Sequence, residues 1–75
     1  MKPYMSETYY YVGETNEYFT QGNQYVIIET GNHWIKEYGE VAWLTCDDYP
    51  NTKDIDFGVA VDINNFGKGK DFIKY

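Results

Sequence analysis

Among its 75 residues the chain has no arginine, one cysteine, one histidine, one leucine and two prolines. Each scarcity excludes something. Without arginine there is no guanidinium fork to clamp phosphate or guanine. Six lysines against twelve carboxylates, a formal net charge of −6, offer no clustered cation to track a nucleic-acid backbone, so direct nucleic-acid binding is not expected. A lone cysteine, Cys46, rules out an internal disulfide and with it the small disulfide-knit secreted scaffolds. The longest aliphatic run, Val26-Ile27-Ile28, falls far short of the roughly 20 residues of a membrane helix. The leading Met1-Lys2-Pro3-Tyr4-Met5-Ser6-Glu7 has no apolar stretch of the signal-peptide kind. The expectation is a cytoplasmic protein with no membrane contact.

What is present points to sheet. Val, Ile and Thr number seventeen, and Phe, Trp and Tyr fifteen, whereas Leu, Ala and Met together number five. β-branched and aromatic side chains suit a pleated, half-buried surface, and strong helix formers are nearly missing. The fold class is therefore all-β. A chain this short buries only ~60–65% of its unfolded surface, so its aromatics, at about 150–250 Å² each, have to supply much of the core.

Residues 1–7 carry no periodic pattern and read as a flexible N-terminal arm; residues 8–75 read as a single domain. Thr8–Val12 alternates as a first strand, with Tyr9 and Tyr11 on one face and Tyr10 and Val12 on the other. An irregular excursion follows and closes at Gly22. Asn23–Thr30 is the second strand, Gly31-Asn32 a tight turn, and His33–Lys36 a short returning arm. Glu40–Asp47 is the third long strand, with Ala42, Leu44 and Cys46 on one face and Val41, Trp43 and Thr45 on the other. Asp48-Tyr49-Pro50-Asn51 is a turn. Ile55–Ile63 alternates cleanly as another strand, Asn64–Gly67 reads as a turn or a single 3₁₀ turn, and Asp71–Tyr75 as a short closing strand. Five or six short strands with a long loop after the first favour a small closed barrel, which also removes exposed edges.

The stretch Phe19-Thr20-Gln21-Gly22-Asn23-Gln24-Tyr25-Val26-Ile27 resembles the F-T-x-G-x-x-Y-x-V signature of small Src-homology-3-like (SH3-like) barrel proteins common in bacteriophage genomes. Asp47-Asp48-Tyr49-Pro50 is similar to a hairpin turn of that family, and Asp71–Tyr75 to its terminal strand. The lysine usual after the glycine is Asn23 here. The resemblance implies a five- to six-stranded SH3-like barrel and an accessory or host-interaction protein without catalytic residues.

No constellation points to catalysis. His33 is without a second histidine for a metal site or a triad, although it could face Cys46 across strands. Asp47, Asp48, Asn51, Asp54 and Asp56 are oxygen-rich but miss the calcium-loop spacing. Gly67-Lys68-Gly69-Lys70 lacks the hydroxyl residue and helix of a phosphate loop. No enzyme activity, cofactor or metal is expected. The remaining signal is aromatic. Tyr9, Tyr11, Trp34, Tyr38 and Tyr49, interleaved with Glu37, Glu40, Asp47 and Asp48, are expected partly exposed, as an acidic-aromatic surface suited to a basic protein partner. The function expected is a non-enzymatic binding module that inhibits or modifies a host defence or nucleic-acid-processing protein. Two alternatives stand beside it: a self-associating structural protein, and a nucleotide sponge built on aromatic stacking between subunits.

Overall fold

The computed structural model describes residues 2–75. Five antiparallel strands form one sheet: β1 (Thr8–Tyr11), β2 (Gln24–Asn32), β3 (Glu40–Leu44), β4 (Val59–Asp62) and β5 (Phe72–Lys74), in the order β4-β3-β2-β1-β5. The helical elements among the described residues are three single 3₁₀ turns, Lys36–Tyr38, Ile55–Phe57 and Ile63–Asn65. No helix among them is long and apolar enough to cross a membrane. The all-β expectation holds. β4 and β5 end the sheet without a ladder between them; Phe66, just past the third 3₁₀ turn, makes an isolated parallel bridge to Phe72.

β2 belongs to both halves of the sheet. Its first residues pair with β1, and from Ile27 onward it pairs with β3, with a bulge between Ile27 and Glu29. A bulge bends its strand and sharpens the local twist, which lets one sheet fold over one core. Six of the eleven clustered core residues are aromatic: Tyr9, Tyr11, Phe19, Tyr25, Phe66 and Phe72. Phe19 and Phe72 each lie 5.1 Å from a neighbouring core ring in edge-on or tilted contact, the range in which aromatic pairs add about 0.5–1.5 kcal/mol beyond burial.

Tyr9 and Tyr11 were expected at the surface and are instead interior, at 0% and 5% exposure. The alternation is as read but the inward face is the opposite one, with Val12 exposed and Tyr10 half-buried. Tyrosine is tolerated inside because each hydroxyl has a partner. Tyr9 donates to Glu7 Oε1 at 3.2 Å. Tyr11 donates to the Glu14 carbonyl at 2.6 Å and accepts from Asn16 Nδ2 at 3.2 Å. A buried polar group so satisfied loses little on leaving water.

Three further readings are corrected. Gly31 and Asn32 are strand residues paired with Val41 and Glu40, and the hairpin turns over 33–39, so His33–Lys36 is not a strand arm. The alternating Ile55–Ile63 is a strand only from Val59 to Asp62. Asp54 accepts the Asp56 N–H at 2.9 Å and starts a 3₁₀ turn, which throws Phe57 outward to 49% exposure. At Gly58 a Cβ would come within 2.7 Å of Ile28 Cδ1 and 2.8 Å of the Leu44 carbonyl, so glycine is required there by close approach. Finally, the leading residues are docked. Pro3 is buried, the Ser6 N–H donates to the Ile27 carbonyl at 2.8 Å, and the Ile27 N–H donates to the Glu7 carbonyl at 2.8 Å. Glu7 also pairs with Lys74.

Candidate functional site

The turn between β2 and β3 is closed by His33 N–H donating to the Gly39 carbonyl at 2.9 Å, with Gly39 at φ 66°, where a side chain would be strained. His33 Nδ1 accepts the Ile35 N–H at 2.9 Å. These bonds fix the imidazole, and three rings gather on it: Trp34 at 4.1 Å, Tyr38 at 4.8 Å and Trp43 at 6.1 Å between centroids. Trp34 and Trp43 are nearly parallel, 11° apart at 6.0 Å. Trp43 is buried, at 5% exposure, while Trp34 and Tyr38 above it stand 69% and 58% exposed.

β3 is thus covered on both faces. Ala42 and Leu44 face the common core, and Val41 and Trp43 are buried outside that core cluster. An exposed tryptophan stacked on a buried one is held in place before any partner arrives, and preorganised rings lose little freedom on binding.

Carboxylates surround the cluster. Glu37 and Glu40 come from the hairpin, Glu29 pairs opposite Trp43, and Asp62 pairs opposite Val41. Lys2 lies 3.4 Å from Glu40, an exposed pair of the kind worth about 0–1 kcal/mol. Beside the hairpin is a groove of about 600 Å³ lined by Tyr38, Glu37, Val41, Ala60 and Asp62, with Tyr18 of the β1–β2 loop on its rim.

Of the expected surface residues, Trp34, Glu37, Tyr38 and Glu40 come together here. Asp47, Asp48 and Tyr49 do not. They follow the far end of β3, beyond Leu44, and none of them lines the groove. Tyr49 packs on Phe57 there, with centroids 5.0 Å apart. Asp47 has both carboxylate oxygens engaged: Tyr25 O–H donates to Oδ1 at 2.6 Å and Thr20 Oγ1 donates to Oδ2 at 2.7 Å. These hydrogen bonds hold its pKa below the ordinary aspartate value. Burial, and then the Asp47 hydrogen bond, push Tyr25 upward. The Thr20 N–H donates to the Tyr25 hydroxyl at 2.6 Å and the Asp47 N–H to the Tyr18 carbonyl at 2.9 Å. Asp47 therefore clamps the β1–β2 loop that carries Tyr18.

His33, Tyr18 and Asp62 belong to this candidate surface and Trp43 is the buried ring beneath it; none of the four was expected there. His33 beside Trp34 was the available signal. The other three are assembled by strand register and a loop clamp, which no local pattern reveals. Cys46 is buried with Sγ 3.6 Å from the Phe57 carbonyl, at the opposite end of β3 from His33, so the two form no nucleophile pair. Among the described residues no three His, Cys, Asp or Glu side chains converge on a common point. The Gly67–Lys70 segment is a turn leading into β5, closed by Lys70 N–H on the Gly67 carbonyl at 3.1 Å.

Comparison of the chain with protein-family models, with curated proteins and with solved structures finds no match.

Proposed function

We propose that this protein is a non-enzymatic binding module whose hairpin face, centred on Trp34 and Tyr38, docks on a protein partner with a basic surface. The observation carrying this reading is the stacked Trp34–Trp43 pair, one ring buried and one exposed, ringed by carboxylates. Tryptophan and tyrosine dominate interface hot spots because they bring large rigid area with a polar edge. Surrounding negative charge steers a basic partner and screens out acidic ones. The resemblance of Phe19–Ile27 to phage-type SH3-like proteins supports the further proposal that the module is a phage-encoded accessory protein acting on a host defence or nucleic-acid-processing protein.

Capture on the immobilised chain tests it, with Trp34→Ala and Glu37→Lys as parallel baits. The reading expects a basic protein retained by the wild type, lost by Trp34→Ala, and eluted as salt rises. Retention of the same proteins by all three baits contradicts it. A second reading, self-association, draws on the unpaired outer edge of β4 beside the groove. Light scattering at micromolar concentration separates the two, since a strict monomer removes the second.

A further inference from the structure

We propose that the groove beside the hairpin is a seat for a lysine side chain presented by the partner protein. The inference rests on the protein-binding reading above and names the chemistry that the partner brings. The groove, about 600 Å³, has Tyr38, Tyr18 and His33 among its lining, together with the apolar Val59 and Ala60. Its charged lining residues are Glu37 and Asp62; no lysine lines it. Among the described residues neither carboxylate has an ion-pair partner, and Asp62 keeps one oxygen for the Asn64 N–H at 2.8 Å. The nearby lysines are accounted for: Lys2 reaches Glu40 instead, and Lys36, on the same turn, is exposed and outside the lining. Glu17 adds negative charge beside the Tyr18 hydroxyl, which it keeps protonated above the ordinary tyrosine range.

Exposed tyrosine rings, unpaired carboxylates and apolar side chains in one groove suit a single kind of occupant. An ammonium is attracted by the negative face of an aromatic ring and by both carboxylates, while the methylene stem of a lysine covers apolar surface such as Ala60 and the partly exposed Val59. A neutral or anionic side chain would meet the same two carboxylates without compensation.

The test uses the full isotope-labelled chain and two glycine-flanked capped peptides, one with a central lysine and one with norleucine, its uncharged counterpart. Backbone and tyrosine ring resonances are followed during titration. The lysine peptide is expected to give saturable shifts at Tyr18, Tyr38, Val41 and Asp62, with the norleucine peptide several-fold weaker. Tyr18→Ala and Asp62→Asn should each weaken lysine-peptide binding about two- to fivefold, the range of an exposed cation–π or ion contact. Asparagine still accepts the Asn64 N–H, so Asp62→Asn keeps its turn. Equal binding of both peptides, shifts confined to the Asp47–Tyr49 end, or no shift at all overturns the proposal. Failure here with a partner still lost by Trp34→Ala leaves the binding-module reading intact. Lysine-specific shifts with a partner indifferent to Trp34→Ala overturn the reading of the hairpin face instead.

Discussion

Replacing Tyr25 by phenylalanine removes one oxygen from a buried ring and should release the β1–β2 loop. That oxygen donates to Asp47 Oδ1 at 2.6 Å and accepts the Thr20 N–H at 2.6 Å. A hydrogen bond to a charged group contributes about 1.5–3 kcal/mol and a neutral one about 0.5–1.5 kcal/mol. Asp47 is exposed, and water takes over part of the lost contact, so the low end of each range applies. The sum is about 2 kcal/mol. For a domain of this size, that lowers Tm by about 8–16 °C. Thermal and urea unfolding of wild type, Tyr25→Phe, Asp47→Ala and the double variant close a cycle whose coupling should be about 1–1.5 kcal/mol. The same pair has an acid signature. Asp47 is held below its ordinary pKa, so its contribution is complete above the unfolded value near 4 and is lost as pH falls through the lower folded value. Tyr25→Phe should therefore flatten the acid limb of the stability curve. A Tyr25→Phe cost below about 0.5 kcal/mol, or a coupling indistinguishable from zero, refutes the clamp.

Gly58→Ala should destabilise by about 1–3 kcal/mol, because the added methyl meets the Leu44 carbonyl at 2.8 Å and backbone cannot yield as a side-chain tip can; the urea midpoint reads this directly. Tyr9, whose pKa burial first and Glu7 second push up to about 12, favours the folded state only while protonated. Stability should be unaffected below the unfolded value near 10 and fall as pH rises from there toward 12, and Tyr9→Phe should remove that share of the alkaline loss. Trp34→Ala should cost about 0.5–1.5 kcal/mol, the range of an aromatic stack, and should raise the acrylamide quenching of the remaining Trp43, which Trp34 and His33 cover.

The strands of this fold were legible where one face is wet. Residues 8–12 alternate because Tyr9 and Tyr11 go in while Tyr10 and Val12 look out. Which face goes in is not legible, because tyrosine suits both sides, and the hydroxyl partners that make the interior acceptable, Glu7 for Tyr9 and the Glu14 carbonyl and Asn16 for Tyr11, are placed by the path of the flanking loops rather than by the alternation. Residues 55–58 mimic a strand in their spacing, but the Asp54 cap and the close packing of Gly58 against Leu44 override it. Half of the candidate surface was visible as Trp34-x-x-Glu37-Tyr38 with Glu40. The other half depends on register: the Trp43–Ala60 and Val41–Asp62 pairs bring Asp62 beside the hairpin, and the Asp47 clamp brings Tyr18. Pairing between strands distant in sequence leaves no local trace in composition.

Hydroxyl-radical footprinting of the complex with a captured partner reports whether the hairpin face is the surface that binds. Tyr4 and Tyr75, 71% and 66% exposed and distinct from the groove lining, serve as internal references. Trp34, Tyr38 and Tyr18 should become protected while Tyr4 and Tyr75 oxidise as in the free protein. Protection of Tyr75 or Tyr49 with Trp34 still fully reactive contradicts it.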